Sequence, residues 1–238
     1  SGTYIMNTDL MGHQLGRVSS FQTNKDADVL IQELARRIKQ VLADYADVGA
    51  CAGVGVVVPG MVDLSAGRVL HAPTLSWRDV NVRDPLAAAV GIPVHIENSG
   101  KACALAQLWA TRSDVVASGN SVFVSVSDGV GTGIVINGEL MRGRHNTAGE
   151  FGHVPLSIDG PRCSCGATGC WEAYVSNIAT LSRYFGRDLA EPGPRDIETS
   201  SFTVEDLIAR ARAGDAKALA AINSTGRYLG LGLASIIN

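Results

Sequence analysis

Ala148-Gly-Glu150-Phe-Gly-His153 is followed, after nine intervening residues, by Cys163-Ser-Cys165-Gly-Ala-Thr-Gly-Cys170-Trp-Glu172. Three thiols and one imidazole make a Cys₃His set, a closed tetrahedral combination that zinc favours. Cys-x-Cys puts two sulfurs on one short turn. Gly166 and Gly169 let the backbone curl until Cys170 returns to the same ion. With all four positions filled by His153, Cys163, Cys165 and Cys170, the expected zinc is structural, with no open place for water. The plainer alternative is a set of reactive surface thiols beside an unrelated histidine. The two other cysteines, Cys51 and Cys103, stand alone among small apolar residues and read as buried core thiols. No secretory feature supports a disulfide framework, so the expected compartment is the cytoplasm, with reduced thiols.

The 238 residues around this cluster are 46% hydrophobic and 18% charged, with a net charge of −3. That is enough chain for one large domain or two small ones. Twenty Lys and Arg stand against 23 Asp and Glu, and no basic run exceeds a few residues, which argues against a nucleic-acid clamp within these residues. With 27 glycines and 5% aromatics, the balance suits a glycine-turned α/β protein better than a sandwich. No apolar run reaches the length of a membrane span. Ser1-Gly2 has no initiator methionine and Gly230–Asn238 has no stop signal. Both ends therefore read as cuts in a longer chain.

Strand and helix patterns alternate. Thr3–Asp9 and Gln14–Ser20 read as paired strands around Met11-Gly12. Asp26–Tyr45 carries Leu30, Leu34, Ile38 and Val41 at helical spacing. The β-branched run Ala52–Val58 predicts a central strand covered on both faces. Arg68–His71 and Pro93–Glu97 predict strands; Val82–Val90 and Lys101–Thr111 predict helices. Ser121–Val126 and Gly131–Asn137 flank the turn signal Ser127-Asp128-Gly129, and Asn137-Gly138 predicts a second hairpin turn before Glu139–Arg142. Helices are expected at Val175–Phe185, Val204–Ala213 and Ala216–Ile237, the second capped by Thr203. Residues 187–202 read as a surface loop. Two α/β halves result, 1–113 and 114–238.

The Ala-Gly-Glu-Phe-Gly-His and Cys-x-Cys-Gly-x-x-Gly-Cys-x-Glu pair resembles the signature of the ROK family of bacterial sugar-responsive repressors and sugar kinases. The resemblance extends to the strand ending in Pro59-Gly60, to Leu75-Ser76-Trp77, to Ile96-Glu97-Asn98 and to the Gly129–Gly143 hairpin. It implies the duplicated actin-like, ribonuclease-H-like sugar kinase fold, with sugar in a cleft between two lobes. It also implies effector contacts at Gly60, Asn98, Ser99, Glu150, His153 and Glu172, and a homodimer. Carboxylates suit this task because they accept hydrogen bonds from neighbouring hydroxyls. A metal-pinned His153 has one tautomer and one orientation to offer.

The chain departs from the family kinases in three places. They carry Glu-Asn-Asp, whose Asp takes the proton from the attacking hydroxyl; here the run is Glu97-Asn98-Ser99. A serine hydroxyl cannot hold that proton at neutral pH, and loss of the base costs about 10²–10⁴-fold. These residues hold at most Gly2-Thr3 of the kinases' Asp-x-Gly-Gly-Thr loop, and they stop before the family's later glycine-rich adenosine segment could occur. Asp128–Gly133 resembles a second phosphate loop but also suits a tight hairpin. Thr74 replaces the Asn of the family's Asn-Leu-x-Trp. The leading expectation is therefore the sugar-binding and dimerisation domain of a transcriptional regulator. It would meet DNA only through an upstream helix-turn-helix and would not touch membrane. An ATP-dependent sugar kinase, or a degenerate module that only dimerises, are the alternatives.

Overall fold

The computed structural model describes residues 2–110, 119–187 and 202–237. They form two compact units, which divide at Asn98 and Ser99. The boundary expected at 113/114 lies outside the described residues, as does most of the loop expected at 187–202.

The first unit opens with an antiparallel hairpin, β1 (Gly2–Thr8) and β2 (Gln14–Gln22). Helix α1 (Ala27–Asp44) starts at Asp26, whose carboxylate accepts from the Val29 amide and satisfies a first-turn donor. Its Leu30, Leu34 and Ile38 face a core shared with Val62, Val69 and Ile96. Strand β3 (Val54–Val58) pairs in parallel with β7 (Val94–Asn98), in register from Val54↔Val94 to Val58↔Asn98. Between them lie an antiparallel sheet of β4 (Met61–Asp63), β5 (Arg68–Ala72) and β6 (Trp77–Asn81), and helix α2 (Arg83–Val90). β4 and β6 were not legible: β4 has only three residues, and β6, Trp-Arg-Asp-Val-Asn, does not alternate apolar and polar residues.

Two expectations fail here. β3 is not covered on both faces: among the described residues it pairs only with β7, and Val57 is 56% exposed. Cys51 and Cys103 are exposed, not core thiols. Cys51 precedes β3 in an irregular connection, and Cys103 lies away from the buried face of its helix.

The second unit begins with α3 (Ser99–Ala110), packed on the three-stranded antiparallel sheet β8 (Ser121–Val126), β9 (Val130–Ile136) and β10 (Glu139–Leu140). The two approach as closely as they do because the seam is glycine. A Cβ on Gly100 would lie 2.8 Å from the Thr132 amide nitrogen, and one on Gly133 would lie 2.4 Å from the Ala104 Cβ. Asn137 and Gly138 both take positive φ, 54° and 78°, as the tight hairpin turn demands. The helix expected at Val175–Phe185 is present as α5 (Asn177–Phe185), starting two residues later, and a short unforeseen turn of helix, α4 (Glu172–Val175), precedes it. Ser176 is extended and caps α5 through the Ala179 amide, while the Asn177 amide donates to the Ser127 carbonyl beside the β8–β9 turn. Helices α6 (Val204–Arg212) and α7 (Ala216–Ile237) close the chain. Thr203 and Asp206 form a reciprocal capping box at the start of α6.

Candidate metal centre

The segment after β10 has little regular structure, and its turns bring four ligand atoms together. A 3₁₀ turn, Phe151–His153, presents the imidazole. Gly152 leaves no room for a side chain there: its Cβ would lie 2.4 Å from the Val130 carbonyl oxygen. The thiols come from a small hairpin. Arg162 bridges to Thr168, the Cys163 amide donates to the Ala167 carbonyl, and Gly166 turns at φ 99°. A second bridge, Pro155 to Cys170, returns the chain beside His153.

One ligand atom from each of His153, Cys163, Cys165 and Cys170 lies within 4.8 Å of the other three. Cys165 Sγ and Cys170 Sγ are 3.7 Å apart, and Cys163 Sγ and His153 Nδ1 are also 3.7 Å apart. A tetrahedron with bonds of about 2.3 Å to sulfur has edges of about 3.8 Å, so these spacings fit a four-coordinate ion. With Nδ1 turned to the thiols, Nε2 on the far side of the ring is the atom left to meet another group. Burial pushes the Cys163 thiol well above its ordinary range, and it pushes Cys170 up to about 11. Such thiols stay protonated near neutral pH unless a cation replaces their protons. The cluster can therefore hold a metal, in the set foreseen from the sequence.

The carboxylate of Glu172 is built into this centre. Its Oε2 accepts from the Val130 amide at 2.9 Å, and its Oε1 accepts from the Ser164 hydroxyl at 2.9 Å. It so ties the β8–β9 turn to the metal loop. Trp171, which the sequence left between a packing and an interface role, is 1% exposed; its indole N–H donates to the Tyr228 carbonyl of α7.

Glu150 sits at the mouth of the 3₁₀ turn. Its Oε1 is 3.7 Å from Nζ of Lys101, a lysine that is 1% exposed. The same Nζ donates to the Asn146 carbonyl oxygen, and Asn146 Oδ1 accepts from Arg142 at 3.0 Å. Lys101, Asn146 and Ser164 escaped the sequence reading. Lys101 had one visible signal: it is the single charged residue in Ser99–Ala110.

In the first unit, Asn98 is buried and its Nδ2 donates to the Gly60 carbonyl oxygen at 2.7 Å. Gly60 is held at φ 94°, with His71 and Ala72 pressed against the space of a missing Cβ. Ser99 follows as the first residue of α3. Nearby in sequence, Trp77 donates to the Lys25 carbonyl at 2.7 Å. Thr74 Oγ1 is the one buried side-chain polar atom without a hydrogen-bond partner among the described residues. The glycines of Asp128–Gly133 have packing duties. Gly131 and Gly133 lie against Gly100 and Ala104, and Gly129 lies against the Glu172 carboxylate.

The sequence model of the ROK family matches residues 2–238. The xylose repressor of Bacillus subtilis (strain 168) is 33% identical over 238 residues, covering 97% of this chain and 57% of the repressor. The glucokinase of Streptomyces coelicolor is 31% identical, covering 77% of this chain and 59% of the kinase. The chain thus spans less than two thirds of the length of these relatives. Among solved structures, a ROK family transcriptional regulator, a homolog of the E. coli MLC protein, superposes with a TM-score of 0.81 at 30% identity. That alignment covers 100% of this chain and 60% of the regulator. A ROK family glucokinase from Streptomyces griseus, in complex with glucose and AMPPNP, gives a TM-score of 0.79 at 28% identity over 99% of this chain and 75% of the kinase. The chain belongs to the ROK family and has its actin-like sugar kinase fold.

Proposed function

We propose that this chain is the effector-binding part of a sugar-responsive ROK transcriptional regulator. The observation that carries the reading is Ser99. It stands after Glu97-Asn98, at the head of α3, where phosphoryl transfer needs a carboxylate base. The packing duties of Gly129, Gly131 and Gly133 add support, because they account for the Asp128–Gly133 pattern without a bound phosphate. Glu150, His153 Nε2 and Glu172 are the polar groups through which the second unit would meet sugar hydroxyls. Xylose repressors among the relatives put xylose first among the sugars to try.

The metal is zinc, held by His153, Cys163, Cys165 and Cys170. When bound it supplies a cross-link between the 3₁₀ turn and the cysteine hairpin. The protein's own groups then orient the imidazole. Regulation follows from the effector favouring one conformation over another. DNA contact belongs to a segment outside these residues, the working form is a homodimer, and the compartment is the cytoplasm. The kinase relatives make a sugar kinase the second reading.

Calorimetric titration with pentoses, hexoses and N-acetyl amino sugars, run beside an ATP-dependent phosphorylation assay, tests the proposal. Saturable binding of one sugar without phosphoryl transfer is the expected result. Turnover would establish the kinase reading instead, and a flat response across the panel would overturn sugar sensing.

A further inference from the structure

Lys101 breaks two local rules. It is a lysine buried almost completely, and it sits in the first turn of a 12-residue helix, where the helix dipole disfavours a cation. A charge so placed persists only when anionic or carbonyl oxygens surround it. The loop after β10 supplies them. The Asn146 carbonyl accepts from Nζ, and Glu150 Oε1 lies 3.7 Å away. Asn146 is itself buried and holds φ 56°, so the chain takes an unfavourable turn to aim that carbonyl. Arg142 clamps the Asn146 side chain, and the Ala148 amide closes the loop on the Arg142 carbonyl at 3.1 Å. On the other side, the Thr132 hydroxyl of β9 donates to the Gly149 carbonyl. The loop is therefore wrapped around one ammonium and pinned to β9 immediately before Glu150.

We infer that Lys101 is a positioning residue for Glu150. Its ammonium lies 3.7 Å from Glu150 Oε1, in ion-pair range, and draws that oxygen inward, so that the side chain favours one orientation and meets an effector hydroxyl with its other oxygen. This rests on the reading of Glu150 as an effector contact. It adds a specificity determinant: recognition at Glu150 goes through a single acceptor oxygen, not a bidentate pair. A freely rotating glutamate would have to lose its rotamer freedom on binding; one already paired does not.

The test uses the whole chain and the sugar from the panel above that binds most tightly. Affinity is measured for the native protein, Lys101→Met, Glu150→Gln and the double variant, with zinc content determined for each. Lys101→Met and Glu150→Gln should each weaken binding at least tenfold, with zinc content unchanged. The double variant should bind within about twofold of Glu150→Gln alone, because Lys101 acts only through Glu150. Lys101→Gln, which keeps a donor for the Asn146 carbonyl but no charge, replaces Lys101→Met if the latter does not fold. If Lys101→Met costs the same factor in both backgrounds, the lysine is merely structural and the inference is overturned. If Glu150→Gln binds as the native protein does, the contact reading of Glu150 fails first and takes this inference with it.

Discussion

Helix α7 contains three glycines for which one substitution should act in opposite directions. Gly226 and Gly230 are exposed, and nothing lies within 4 Å of where a Cβ would stand. Alanine there removes backbone freedom from the unfolded chain at no steric cost, and should stabilise by about 0.5–1 kcal/mol at each position. Gly232 is buried against Trp171, and its Cβ would lie 2.0 Å from the indole Cε2 and 2.3 Å from Nε1. Ordinary contact begins at 3.4 Å, so the ring or the helix has to give well over 1 Å. Overpacking of that kind costs about 1–3 kcal/mol. Shifting the indole also strains its 2.9 Å bond to the Tyr228 carbonyl, about 1 kcal/mol more. Gly232→Ala should therefore destabilise by about 2–4 kcal/mol. Thermal melts of the three variants in parallel read the signs directly. At about 2–4 °C per kcal/mol, Gly232→Ala should melt at least about 4 °C below the native protein and the other two slightly above it. Because Trp171 adjoins the ligand Cys170, Gly232→Ala should also lose metal more readily to a chelator. A Gly232→Ala protein as stable as Gly226→Ala would refute the packing argument for Trp171.

Metal removal should separate the two classes of cysteine. Cys165→Ala is expected to bring zinc well below one per chain and to lower the melting temperature. Cys103→Ala, at an exposed thiol, should change stability by no more than about 0.5 kcal/mol, and equal effects would exclude the metal centre. At the head of α6, Thr203→Ala should cost about 1 kcal/mol in a urea melt, as the loss of a helix cap does. The Thr203 amide and hydroxyl hold the Asp206 carboxyl below its ordinary 3.8, so its contribution is present above that value and lost as the pH falls through the lowered one. The stability difference between native and Thr203→Ala proteins should shrink on acidification below about pH 4; a difference constant down to pH 2 would contradict the box.

The metal set was the most legible part of the chain, because four residues within eighteen positions need only local turns to meet. Long helices were legible for a related reason. Leu30, Leu34 and Ile38 repeat often enough to define a face, whereas β4 has three residues and no pattern. The short α4 before Ser176 was missed because four residues carry no helical period. What parts it from α5 is tertiary: the Asn177 amide is drawn to the Ser127 carbonyl, far away in sequence. The exposure of Cys51, Cys103 and Val57 was misread for the same reason. A run of small apolar residues reports composition, and burial depends on what packs against it. Lys101 shows the converse case. Its setting is set by loop 142–150, more than forty residues on, and only its oddness within an apolar helix was local.

The glycine seam between α3 and β9 limits what this chain can accept by mutation. A side chain at Gly100 or Gly133 would collide with the facing element, and one at Gly131 would press on the Gly100 backbone at 3.2 Å. Stability of the fold alone penalises a side chain at these positions, whatever reaction the protein does or does not perform. The glycine pattern is thus accounted for by the architecture of the fold, and a phosphate is not needed to explain it.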